Sequence, residues 1–132
     1  MGVVIRTGDV DWRKFFLKEK EEKGIRLKTF CIDDIMLGLI EMEPDYLSHE
    51  FHKHEEEQVG FVLQGKRQLF WIDENGERSE VIEKGSLYVI GANELHGTRP
   101  LGGEKFVVLE IWSPPPRRHM EIAVKAKEWG KL

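Results

Sequence analysis

From Ile25 onward the chain is built of short apolar segments punctuated by turn formers. Ile25 to Phe30, Ile35 to Met42, Val59 to Leu63, Gln68 to Ile72, Arg78 to Ile82, Leu87 to Ile90 and Lys105 to Trp112 are separated by Pro44-Asp45, Gly65, Asp73-Glu74-Asn75-Gly76, Lys84-Gly85, Gly91-Ala92-Asn93 and Gly102-Gly103. Segments of this length, rich in β-branched and aromatic residues and broken at even intervals, predict an antiparallel sandwich or barrel. Asn75-Gly76 marks a hairpin, because both residues tolerate positive φ. A parallel sheet is not expected, since the middle of the chain has no helical segment to serve as a crossover.

The two ends read differently. Between Asp11 and Lys23, Trp12, Phe15 and Phe16 are set among lysines and glutamates, with Asp11 as a cap and Gly24 as a stop, which predicts a short amphipathic helix. Three prolines, Pro114 to Pro116, stiffen the chain after the last strand. Met120 to Trp129 then places Ile122, Ala123, Ala126 and Trp129 at helical spacing, predicting a C-terminal helix packed on the body. The 132 residues form one expected domain: a core over about 25–113, an N-terminal segment 1–24, and a proline-rich turn and helix over 114–132.

Charge narrows the partners. The net charge is −4, with basic and acidic residues mixed along the chain rather than gathered in a basic stripe, so nucleic acid is not an expected partner. The single cysteine, Cys31, lies in an apolar run and is read as an inert thiol. The opening residues are too few and too soon charged for a signal peptide, and no run approaches the ~20 apolar residues of a membrane span, so a soluble cytoplasmic protein is expected. Glu and Lys outweigh Gln and Asn, a balance associated with heat-adapted proteins.

Chemistry concentrates in a divided histidine set. His52 and His54 stand two apart, so on an extended strand both imidazoles leave one face and converge on a single divalent ion. Gln58 follows the charged turn Glu55-Glu56-Glu57 and can bring an amide oxygen to the same point; a register shift of one residue would substitute Glu57. His96 follows the turn at Gly91 and supplies a third imidazole from a separate strand. His49 and His119 are read as surface residues. Three imidazoles and an amide are all neutral, so the ion's charge would stay uncompensated, acidifying bound water and drawing in an anionic ligand. The donor set does not choose among zinc, iron, manganese, nickel and copper.

The spacing His52-x-His54-x3-Gln58-x6-Gly65, followed by Gly85 through His96 and Gly97, resembles the two motifs of the cupin superfamily, with Gln58 in a position more often glutamate and Gly91 in place of the usual proline. That resemblance implies an all-β fold, a double-stranded β-helix or jelly-roll barrel, with the metal inside. The final segment, Glu110-x-Trp112-Ser113-Pro-Pro-Pro-Arg117, resembles the ending of small cupins related to the pectin-degradation proteins, which open unsaturated uronate sugars. It implies catalytic roles for Glu110 and Arg117, with Trp112 contacting substrate; in an enzyme of this kind Arg117 or Arg99 would hold a substrate carboxylate. Two functions are therefore expected as alternatives. One is a metal-dependent enzyme acting on a small oxygen-rich substrate by lyase or isomerase-type proton transfer or by oxygenation. The other is a non-catalytic small-molecule-binding module. Homodimers are expected, with Val3-Val4-Ile5 available as an added strand.

Overall fold

The computed structural model describes residues 2–17, 19–47 and 53–129. Among them the strands are β1 (Arg13–Leu17), β2 (Lys20–Ile32), β3 (Ile35–Met42), β4 (Glu57–Gln64), β5 (Lys66–Asp73), β6 (Gly76–Glu83), β7 (Leu87–Ile90), β8 (Leu95–Leu101), β9 (Phe106–Ser113) and β10 (Val124–Lys125). The larger sheet runs β1-β2-β3-β9-β4-β7, with β10 paired to β2, and the smaller runs β6-β5-β8. Two antiparallel sheets are what the strand spacing predicts, and their arrangement is the jelly roll that the motif resemblance implies. All pairings are antiparallel except the two-residue contact of β10 with β2.

Strict alternation determines which side of the large sheet faces inward. Along β3, Met36, Gly38, Ile40 and Met42 are buried, and along β9 Phe106, Val108, Glu110 and Trp112 are buried. Together with Leu27, Val62, Leu69, Ile82 and Ile90 they form the core between the sheets. Glu110 thus lies on the core-facing side, at a position where the period of two would place an apolar residue.

The registers explain how a carboxylate is accommodated there. Glu110 is paired with Gly38 on β3 and with Gly60 on β4, and Gly60 is paired in turn with Tyr88 on β7. A glycine on each side leaves space over the sheet, which two aromatic rings enter. A Cβ on Gly38 would come within 2.6 Å of the Trp112 ring, and one on Gly60 would collide with the Tyr88 ring.

Both predicted terminal helices are replaced. Residues 11–23 form a β-hairpin instead, with Lys14 opposite Arg26 and Phe15 opposite Glu22. The long β2 strand offers an edge whose hydrogen bonds β1 satisfies, and Phe15 packs against the core; this tertiary pairing overrides local helix propensity. At the other end, helix is confined to one turn, α1 (Arg117–Met120), followed by β10 and a 3-10 turn at Ala126–Glu128. The segment does pack on the body, through Ile122, Ala123 and Ala126. The β5–β6 hairpin turns one residue earlier than Asn75-Gly76 suggested: Asp73 pairs with Gly76 and Gly76 carries the positive φ, while Asp73 Oδ1 accepts from the Asn75 N–H at 2.8 Å. Strand β8 gave no apolar signal, because its sequence, Leu-His-Gly-Thr-Arg-Pro-Leu, is largely polar; as an edge strand it also tolerates Pro100.

Gly60→Ala is expected to cost about 1–3 kcal/mol, since Tyr88 must leave its rotamer to admit a methyl group. Gly91→Ala, which meets nothing within 4 Å, should be neutral. Thermal unfolding of the two variants distinguishes them, and an unperturbed Gly60→Ala protein would show that the Tyr88 ring is not pinned over this glycine.

Candidate functional site

The space left over the two glycines is a cavity of about 90 Å3 between the sheets. His54, Gln58, Tyr88, His96, Glu110 and Trp112 all line it, as do Thr98 and His119. His52 lies outside the described residues, as does His49.

His54 precedes β4 rather than sitting on a strand, so alternation does not place it. It is held by its backbone: the Asn93 N–H donates to the His54 carbonyl at 2.7 Å. Asn93 belongs to the turn before β8 and adopts a positive φ of 61°. The same turn leads to His96 on β8, so one hydrogen bond joins the two parts of the histidine set. Their rings stand edge to face, with centroids 5.0 Å apart.

Both rings have their tautomer set in the same way. His54 Nδ1 lies 2.8 Å from the Glu56 carbonyl oxygen and His96 Nδ1 lies 2.8 Å from that of Glu94. A carbonyl only accepts, so each Nδ1 carries a proton, which directs each Nε2 into the cavity as the nitrogen through which a neutral imidazole would bind a metal.

Gln58 is buried and turned inward, while Glu57 beside it is exposed. The orientation of its amide follows from Tyr88. The Tyr88 hydroxyl donates to Glu110 Oε1 at 2.7 Å, so its oxygen accepts from the Gln58 amide. The Gln58 NH2 group is thereby engaged, and Oε1 faces His54 Nε2 at 2.8 Å. Two acceptors at that distance repel each other unless a proton or a cation lies between them. Adjacent donors around an ion bound at ~2.0–2.1 Å stand roughly 3 Å apart, so the pair has the spacing of two ligands of one ion. The residues present therefore fit a divalent ion, with His54, His96 and Gln58 as described donors. Among the described residues, no group of three or more His, Cys, Asp or Glu side chains is placed to hold one.

Burial, followed by the neighbouring Glu110 carboxylate, pushes the Tyr88 hydroxyl well above its ordinary pKa. Tyr88 therefore stays a neutral donor to Glu110.

Trp112 serves both core and cavity, at 2% exposure. Arg99 and Arg117 do not reach the cavity. Arg99 is exposed and lies over the Phe70 ring at 4.2 Å, because His96 and Thr98 occupy the inward positions of β8. Arg117 is exposed at the start of α1. The residue that α1 sends inward is His119, the reverse of its expected surface position. It is 4% exposed and stands between Trp112, at a centroid distance of 5.4 Å, and Phe15, at 5.6 Å. No local pattern marks His119 or Tyr88 as cavity residues; each depends on partners far away in sequence.

The model of the family described as Cupin domain matches residues 38–112. Among solved structures, KdgF from Halomonas sp. is similar with a TM-score of 0.72 and 21% identity, covering 89% of this chain and 97% of that one. The polyketide cyclase RemF from Streptomyces resistomycificus follows with a TM-score of 0.71 and 24% identity, over 88% and 83% of the two chains. Fe(II)-HppE in complex with an alternative substrate gives 0.64 and 14%, over 83% and 60%. At these identities the likeness is one of fold. No curated protein matches the chain.

Tyr88→Phe retains the ring yet leaves the buried Gln58 amide and the Glu110 carboxylate each short of a partner. A loss of about 1–3 kcal/mol in chemical denaturation is expected. Adding Glu110→Gln should recover part of it, and a purely additive double mutant would argue against the hydrogen-bonded chain.

Proposed function

The chain belongs to the cupin domain family, and from that premise we propose that it binds a divalent metal and acts on a small oxygen-rich substrate, a carbohydrate or organic acid, by proton transfer. The observation that carries this reading is the inward row of His54, Gln58 and Glu110, with both imidazole tautomers set for Nε2 coordination. His52, His54, Gln58 and His96 are the proposed ligands. A bound ion would act as a Lewis acid on substrate oxygens and raise the acidity of an adjacent C–H or O–H. Glu110 is the proposed proton carrier, held by Tyr88 with its carboxylate facing the cavity. Trp112 forms an apolar wall that excludes water. The resemblance of the segment from Glu110 to Arg117 to the ending of pectin-degradation-related cupins supports an acidic sugar among the substrates, and the similarity to Fe(II)-HppE supports the use of a metal. Arg99 and Arg117 are exposed and outside the cavity lining, so the reading does not depend on them.

Metal analysis of protein purified without added ions should find a divalent ion, and His54→Ala combined with His96→Ala should remove it. Glu110→Gln should retain the metal and abolish turnover in a screen of sugar acids and organic acids. Turnover that survives Glu110→Gln would eliminate this carboxylate as the proton carrier. Ligand binding by the wild-type protein without turnover would favour the binding module, and redox-active iron would favour oxygenation over proton transfer.

Homodimer assembly in the cytoplasm belongs to the same proposal. Its support is apolar outer surface: Phe61 and Leu87 are direct partners across β4 and β7 and are 42% and 65% exposed, and Val4 is 74% exposed. Leu87→Glu should convert a dimer to monomer in light scattering; a wild-type monomer at micromolar concentration would refute the assembly.

A further inference from the structure

Charge in the protein interior is not confined to Glu110. Arg67 on β5 is 1% exposed, the largest fully buried side chain among the described residues. Its Nη2 donates to the Tyr46 carbonyl at 2.8 Å and its Nε to Thr98 Oγ1 at 3.0 Å. Among the described residues no carboxylate pairs with it, and the surrounding groups are the Tyr46 and Phe106 rings. Burial lowers its pKa to about 10, so the guanidinium is charged at neutral pH, with no counter-ion among the described residues. A buried, unneutralised cation of this kind is costly unless it serves an anion.

Thr98 links that charge to the cavity. It lines the cavity on the inward face of β8, two residues beyond His96. Because Thr98 Oγ1 accepts from Arg67, its own hydroxyl proton is left to be donated, and no acceptor among the described residues takes it. The hydroxyl thus acts as a donor polarised by a cation behind it.

We propose that Thr98, backed by the buried guanidinium of Arg67, is an oxyanion subsite that holds a carboxylate of the ligand at the end of the cavity away from His54. Two residues along a strand span roughly 7 Å. A ligand with one oxygen function beside His96 and a carboxylate beside Thr98 is therefore a short dicarboxylate, hydroxy acid or sugar acid. Glu110 is the one acidic residue among the described residues lining the cavity. The inference rests on reading this cavity as the ligand site, and neither the metal nor proton transfer by Glu110 enters it.

The test titrates malonate and succinate, with malonamide as the uncharged control, into EDTA-treated and Zn2+-loaded protein, followed by calorimetry and amide chemical shifts. Thr98→Val, which keeps the shape and removes the hydroxyl, should weaken dicarboxylate binding about tenfold or more. Thr98→Ser should stay close to wild type, and so should Arg99→Ala and Arg117→Ala. Arg67→Met should lose binding as well; should that variant fail to fold, the Thr98→Val and Thr98→Ser pair decides alone. The proposal is overturned if Thr98→Val binds within about twofold of wild type, if malonamide binds as well as malonate, or if the wild-type protein binds neither acid at about 50 mM. Zn2+ titration of the same proteins separates the two readings. Loss of metal binding with retained anion binding removes only the function proposed above, and the converse removes only the subsite.

Discussion

A phenol has one proton to give, and the interior of this protein is organised around where Tyr88 gives it. Donated to Glu110, the proton leaves the Tyr88 oxygen to accept from Gln58, which turns the Gln58 oxygen toward His54. Reversing any one bond forces two donors or two acceptors together in a space with little water to relieve them, at a cost of several kcal/mol per unsatisfied group in an apolar setting. The polarity of the site is therefore set by connectivity, from β9 through β7 to β4.

That connectivity requires close approach across the sheet, which the registers supply. Glu110 lies between Gly38 and Gly60, and larger residues there would fill the space that Tyr88 and Trp112 occupy. The two glycines thus act as much on function as on fold. They open a polar cavity in a sheet whose other inward positions are packed with Met, Ile, Val and Phe. The turn at Asn93 does the corresponding work at the mouth, tying the backbone at His54 to the segment that delivers His96.

The sequence displayed the strands, the two motifs and the inward Gln58 because each is written in local spacing. It displayed the termini poorly. Residues 11–23 carry lysines, glutamates and aromatics that suit a helix as well as a hairpin, and only the unpaired edge of β2 decides between them. Strand β8 stayed hidden because its inward positions are polar: His96 and Thr98 face a cavity instead of a core. The strand that lacks a hydrophobic signal is for that reason the one that lines the site. His119 and Arg67 were illegible for another reason, since a charged or titratable residue is by default a surface residue and its burial is visible only once distant partners, Phe15 and Trp112 for one and Tyr46 and Thr98 for the other, are in place.

Seen together, these groups account for an amide at position 58. A glutamate there would set a second buried carboxylate against the Tyr88 hydroxyl already committed to Glu110, and two acceptors would compete for one proton. Like charges in so small a space do not both ionise; one would hold a proton and cease to be either a strong ligand or a base. Glutamine avoids the conflict because its NH2 satisfies the Tyr88 oxygen while its carbonyl faces His54. Glu110 then has the Tyr88 hydroxyl to itself on the neighbouring strand, facing the same cavity. The amide at 58 and the carboxylate at 110 are in this sense a single choice: the negative charge stands where a proton can be exchanged, and the neutral donor stands where an ion is to be held.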